Sequence, residues 1–280
     1  MSGQIFPPKE NSLRKIFRRD QAVLGMIHLK PLPGAPHFNG GNLEEAFEFA
    51  MNDVRLYEEG KIDGLVLENA WDIPFSKPED IGMETVAALS SLAVKIKENT
   101  SLPIGINCLA NGVIPALAVA KAVDAPFVRV NQWVNAYVAN EGLIEGSSAK
   151  ALRYRSAIKG ENIKIFADVH VKHGSHSIVA DRSLAEQTRD AIFFDADVLI
   201  ATGNRTGDET DVSEIKGIKD NTDLPVIVGS GMSIENVEKI MPNCNGCIVG
   251  SSLKEEGLWW KSVDGDKVKR FMEKVNHVRN

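Results

Sequence analysis

Short apolar runs alternate with longer stretches whose apolar positions recur at helical spacing, which is the pattern of strands and amphipathic helices around a parallel sheet. Eight runs stand out, at residues 23–28, 64–68, 104–107, 127–131, 163–170, 198–202, 226–229 and 247–250. Eight strands with intervening helices predict a closed α/β barrel, the (β/α)8 or TIM barrel, over an open sheet. Between the runs, Leu43, Phe47, Ala50, Val54 and Tyr57 form one helical stripe that stops at Gly60. Asn42 with Glu45 reads as a capping box at its start. A second helix follows Pro78, with Val86, Leu89, Ala93 and Ile96 on one face; the last carries Val268, Phe271, Met272 and Val275. Asp211 with Glu214 reads as the cap of another. No linker or compositional break divides the chain, so one domain is expected over residues 1–280, with residues 1–21 as an N-terminal extension. In that extension Leu13, Ile16 and Phe17 sit among Lys9, Arg14, Lys15, Arg18 and Arg19. The favoured reading is an extra helix covering the barrel bottom; the alternative is peripheral contact with an anionic membrane.

Strand parity assigns the side chains, because alternate residues point to opposite faces of a strand. In the fifth run Ile163, Ile165, Ala167 and Val169 share the outward face, while Lys164, Phe166, Asp168 and His170 share the inward one. By the same rule Arg129 and Asn131, Asn107, and Glu68 point inward at the ends of the fourth, third and second strands. The polar residues therefore gather at the C-terminal mouth, where active sites of this architecture lie. His28, Glu68, Asn107, Arg129, Asn131, Asp168, His170 and Thr202 form the expected ring. Asp168 or Glu68 would serve as general base, with His28 or His170 as partner and Arg129 steadying an oxyanion. A structural alternative is that Arg129 and Asp168, on adjacent strands, simply satisfy each other. On the catalytic reading, alanine at Asp168 abolishes turnover and leaves the fold intact. Lys172 lies two residues beyond His170, which disfavours Schiff-base chemistry.

The last two strands each run into a small-residue turn, Gly229-Ser230-Gly231 and Gly250-Ser251-Ser252. Glycine lets backbone approach an anion closely, and a helix opened at Ser233 would offer free N–H groups and a favourable dipole. Turns after strands seven and eight commonly hold phosphate in barrels. The expected phosphate-binding set is Gly229, Ser230, Gly231, Gly250 and Ser251, with Thr202 and Gly203 beside them. Two long loops, residues 132–145 and 203–207, are candidate covers over a substrate, and Arg205 in the second could reach an anion.

Composition narrows the partners. The 32 basic against 38 acidic side chains leave a net charge of −6, which argues against a nucleic-acid surface. Cys108, Cys244 and Cys247 are too few for a disulfide framework and point to a reducing, cytoplasmic setting. No apolar run approaches the ~18 residues of a spanning helix. The run Asp168 to His176 holds three histidines and invites a metal reading, but no ligand pair from other strands is obvious. The set of metal ligands is left empty, and no cofactor is named by any motif. A homo-oligomer binding a small phosphorylated ligand is the expected state.

Several stretches together resemble the BtpA family, in which SgcQ is also placed: residues 25–34, Gly-Met-Ile-His-Leu-Lys-Pro-Leu-Pro-Gly; Glu68-Asn69; Arg129-Val130-Asn131; residues 167–173, Ala-Asp-Val-His-Val-Lys-His; and Thr202-Gly203. The resemblance implies a barrel similar to the ribulose-phosphate-binding group. The family names refer to photosystem I biogenesis and to a sugar-utilisation region, and no catalytic residue is carried over. Three functions follow as expectations: a sugar-phosphate isomerase, epimerase or lyase; a non-catalytic assembly or stability factor for a membrane complex; and a metal-assisted hydrolase using Glu68, Asp168 and His170.

Overall fold

The computed structural model describes residues 7–203 and 211–279. In chain order the elements are α1 (Ser12–Phe17), β1 (Ala22–His28), α2 (Glu44–Glu59), β2 (Gly64–Glu68), α3 (Met83–Glu98), β3 (Ile104–Asn107), α4 (Val113–Ala122) and β4 (Phe127–Val130). They continue with β5 (Ala136–Ala139), β6 (Gly142–Glu145), α5 (Ser148–Ala157), β7 (Lys164–Asp168), α6 (Leu184–Phe193) and β8 (Val198–Ala201). The last are α7 (Val212–Lys219), β9 (Val226–Val228), α8 (Val237–Ile240), β10 (Gly246–Val249) and α9 (Gly265–Arg279). Eight strands close in the order β1-β10-β9-β8-β7-β4-β3-β2, all in parallel register. The eight apolar runs are these eight strands.

Parity divides the core into two shells. Leu65, Leu67, Ile104, Ile106, Val128, Val130, Ile165 and Ala167 face the helices, while Leu24, Val66, Phe127, Phe166, Ile200, Ile227 and Ile248 fill the lumen. Phe127 stacks on Phe166 at 4.3 Å, and Phe17 of α1 meets Phe127 edge-on at 5.7 Å. Leu13 and Phe17 belong to this inner cluster, so α1 plugs the barrel bottom with its apolar face. Gly64 makes the contact feasible, since a Cβ there would lie 2.6 Å from the Phe17 ring. Among the described residues no helix is long and apolar enough to cross a membrane.

Four local expectations differ from what forms. Asn42 accepts from Glu44 N–H at 3.0 Å, and α2 starts at Glu44 without a side-chain cap, so the Asn42–Glu45 capping box is absent. Asp211 does cap α7, through Ser213 N–H, but Glu214 turns toward the backbone of Thr202 and Gly203. The fifth barrel strand ends at Asp168, two residues early. The 132–145 loop contains an antiparallel hairpin, β5 with β6, tied to the segment after β7 by reciprocal Val138–Ser175 backbone bonds at 3.0 and 2.8 Å.

Candidate functional site

A cavity of about 720 Å³ opens at the C-terminal mouth, lined by the ends of β1, β2, β4, β9 and β10 and roofed by the hairpin. On one side Gly229, Ser230, Gly231, Gly250 and Ser251 line it. No side chain fits at Gly229, where a Cβ would sit 2.5 Å from Ile200 Cγ2 and 3.2 Å from Arg129 Nη2. Gly231 takes a φ of 72°, open to glycine at no steric penalty. Lys172 also lines the cavity and donates from Nζ to Ser230 Oγ at 3.0 Å. Sequence parity passed over this lysine as a site residue, because it counted β7 as running to His170. Once the strand stops at Asp168, the chain turns and brings Lys172 to the mouth. Thr202 and Gly203 are not part of the lining. Thr202 Oγ1 instead donates to His170 O and accepts from Lys172 N–H, both at 3.1 Å, which anchors the segment carrying Lys172. The helix expected from Ser233 is shorter than anticipated: Ser233 Oγ accepts from Glu235 N–H at 3.2 Å, but α8 is one turn, Val237–Ile240. A dipole of that length adds little, which leaves glycine backbone and Lys172 as the groups on this side of the cavity suited to an anion.

The floor is charged and tightly paired. Arg129 donates from Nε and Nη2 to the two Asp168 oxygens at 3.1 and 3.0 Å, and Asn131 Nδ2 reaches Oδ2 at 3.3 Å. Burial works against the Arg129 charge, yet Asp168 and Glu68 more than offset it and raise its pKa. Burial also pushes the Asp168 carboxyl up, against the pull of Arg129, Lys172 and Asn131. Asp168 is fully enclosed and does not line the cavity, whereas Arg129 and Asn131 do. Asp168 is thus a positioning residue for Arg129.

Two carboxylates line the cavity, Glu68 at the end of β2 and Glu141 in the turn of the hairpin; Glu68 is the one on the barrel floor. Its Oε2 accepts from Asn107 Nδ2 at 2.5 Å, and its Oε1 lies 3.8 Å from His28 Nε2. Asn107 itself sits behind Glu68, outside the lining. His28 Nδ1 bonds to Trp259 O at 2.8 Å; a carbonyl can only accept, so the proton is on Nδ1 and Nε2 is a lone pair. Burial first, then Lys254, lowers the His28 pKa to about 3, and the ring is neutral. Two acceptors therefore face each other across 3.8 Å, which leaves a place for a shared donor such as a substrate hydroxyl. Two further acceptors lack partners: the buried Oδ1 atoms of Asn107 and Asn131 have no hydrogen bond, while their amide NH2 groups are fixed by Glu68 and Asp168.

The histidine-rich run separates. His170 points away from the cavity, with Nδ1 3.3 Å from Gln187 Oε1 and its ring 3.7 Å from His176, which stacks on Tyr137 at 5.4 Å. The strand ends before it, so parity no longer holds. His173 lines the cavity. Among the described residues no three His, Cys, Asp or Glu side chains converge to hold a metal. Arg205 lies outside the described residues. Cys108, Cys244 and Cys247 are buried free thiols, held protonated by burial, the first two at about 12 and about 11.

With this geometry in place, the sequence model of the BtpA family matches residues 19–277. The chain belongs to the BtpA family. It is 40% identical over 253 residues to an uncharacterized protein of Archaeoglobus fulgidus, covering 90% of this chain and 98% of that one. It is 33% identical over 263 residues to the photosystem I biogenesis protein BtpA of Synechocystis, covering 93% and 90%. An uncharacterized protein of Caenorhabditis elegans, named as mitochondrial, is 34% identical over 261 residues, covering 92% of this chain and 94% of that one. Among solved structures, thiamine phosphate pyrophosphorylase of Pyrococcus furiosus superposes with a TM-score of 0.56 at 14% identity, covering 94% of this chain and 99% of that one. N-(5'-phosphoribosyl)anthranilate isomerase of the same organism gives 0.55 at 15%, covering 92% and 99%. These likenesses establish that this BtpA-family chain shares the barrel fold.

Proposed function

We propose that the chain is an enzyme acting on a small phosphorylated metabolite, with isomerase, epimerase or lyase chemistry at the barrel mouth. One observation carries this: the turns after β9 and β10, with Lys172 on Ser230, line the same cavity as Glu68, His28 and Arg129, with His28 next to Gly250 and Arg129 next to Gly229. Phosphate sits on Gly229, Ser230, Gly231, Gly250, Ser251 and Lys172. Glu68 is the general base, because it lines the cavity floor beside His28, whereas Glu141 lies in the hairpin turn and Asp168 is committed to Arg129. Neutral His28 presents its Nε2 lone pair to the same substrate hydroxyl. Arg129 stabilises negative charge that develops on a substrate oxygen. The folds named for thiamine phosphate and phosphoribosylanthranilate chemistry agree with a phosphorylated substrate.

Binding of ribose 5-phosphate and of inorganic phosphate, followed by thermal shift and calorimetry, tests this. Both should raise the melting temperature, since a ligand selective for the folded state must stabilise it. Lys172→Met should weaken both by about tenfold or more. Glu68→Gln should keep binding and lose turnover by about 10²–10⁴-fold. No stabilisation of the wild-type chain by either probe would sink the reading. A second reading rests on the name of the Synechocystis relative: a non-catalytic factor for biogenesis of a membrane complex such as photosystem I. Full complementation of a deletion strain by both Lys172→Met and Glu68→Gln would favour it.

A further inference from the structure

The cavity is larger and less polar than a phosphorylated sugar needs. Its 720 Å³ falls within the ~300–1,000 Å³ of pockets that hold drug-sized ligands, and a pentose phosphate is smaller than these. The surplus space is bounded by Ile73, Pro74 and Phe75 after β2 and by Leu109 and Ala110 after β3. Ile73 is 40% exposed, and Pro74 is exposed too, an arrangement that an apolar occupant would relieve.

Strand order fixes how this wall relates to the anion side. Around the barrel β9 is four strands from β3, and β10 is four strands from β4, so each pair is diametrically opposed. The turn after β9 therefore faces Leu109 and Ala110 after β3, while Ile73, Pro74 and Phe75 follow β2, three strands from β9 and two from β10. Between the turns and this wall, at the strand ends, lie the acceptors Glu68 and His28 Nε2 and the guanidinium of Arg129. A ligand spanning the cavity meets anion-binding backbone, then a hydroxyl-reading floor, then an apolar surface. That sequence of environments matches phosphate, pentose diol and planar ring.

On the basis of the phosphate reading above, we infer that the substrate is a phosphorylated pentose carrying a heteroaromatic ring, a nucleoside monophosphate or a close N-glycoside of that kind. The ring lies against Phe75 and its neighbours, and the pentose hydroxyls donate to Glu68 and His28 Nε2. Base-on-aromatic contacts of this type tolerate different ring systems, because every base has a π-face.

Calorimetric titration of the whole chain with adenosine 5'-monophosphate, uridine 5'-monophosphate, ribose 5-phosphate, adenosine and inorganic phosphate tests the inference. At least one nucleotide should bind about tenfold or more tighter than ribose 5-phosphate. Phe75→Ala should remove most of that advantage and leave ribose 5-phosphate affinity within about twofold, and Ile73→Ala should act in the same direction more weakly. Phe75 is half-buried at the rim, so the variant is expected to fold; its melting temperature checks this. Equal binding of ribose 5-phosphate and both nucleotides overturns the inference and leaves the phosphate reading standing. Adenosine binding as tightly as its monophosphate overturns the phosphate reading, and with it the nucleotide.

Discussion

At Asp168 both carboxylate oxygens are committed to Arg129 and Asn131 inside a fully buried pocket. Removing the carboxylate leaves the guanidinium buried without its partner, and losing one member of a buried pair costs about 3–5 kcal/mol. Asp168→Ala is therefore expected to lose stability, whereas the catalytic reading of Asp168 expects lost turnover on an intact fold. Its urea midpoint should fall by the equivalent of that range, while Asp168→Asn, which keeps an acceptor for Arg129, should lose less. A midpoint for the alanine variant within about 1 kcal/mol of wild type would show that Arg129 does not depend on this partner. Inward placement of Asp168 and Arg129 was legible from alternation alone. Which of the two meets the cavity was not, because parity gives the face of a strand and says nothing about depth within it.

At the level of elements, the strands were readable because a barrel strand separates two apolar environments at its bottom and turns polar at its top, as in Arg129-Val130-Asn131. Where that rhythm breaks, legibility ends. After Asp168 the backbone leaves the sheet, and the alternation extrapolated to His170 placed it in a mouth that it does not enter. The hairpin is hidden for another reason: its inner residues Tyr137 and Ile144 pair across strands and pack on Val171, but its outer face leaves Val138 and Leu143 at 47% and 42% exposure. With apolar residues on both faces there is no period of two to see. The N-terminal helix was legible as an amphipathic segment, and its buried face makes a prediction at this scale. Phe17→Ala should cost about 3–5 kcal/mol by opening a cavity beneath Phe127, with phosphate affinity unchanged because the plug and the mouth are at opposite ends. Weakened binding in a variant that still folds would show the two ends to be coupled.

Over the whole molecule, the placement of a neutral imidazole at the mouth ties stability to pH. His28 is lowered to about 3 in the folded chain by burial and by Lys254, whereas in the unfolded chain its pKa is near 6.5. Between those values the unfolded state binds the proton and the folded state refuses it, so this group lowers stability as pH falls from about 6.5 toward 3, by at most ~1.4 kcal/mol per pH unit. Asp72 and Asp168 act with the opposite sign, since burial raises both and the folded state takes up their protons earlier on acidification. The wild-type acid limb is the sum of these trends, and a substitution isolates the histidine. In His28→Gln, urea midpoints measured from pH 7 to pH 4 should decline less steeply than in wild type, with the two curves differing most at the acid end. Parallel curves would mean that His28 charges readily in the folded chain. The acceptor lone pair assigned to its Nε2 at the mouth would then be a proton donor.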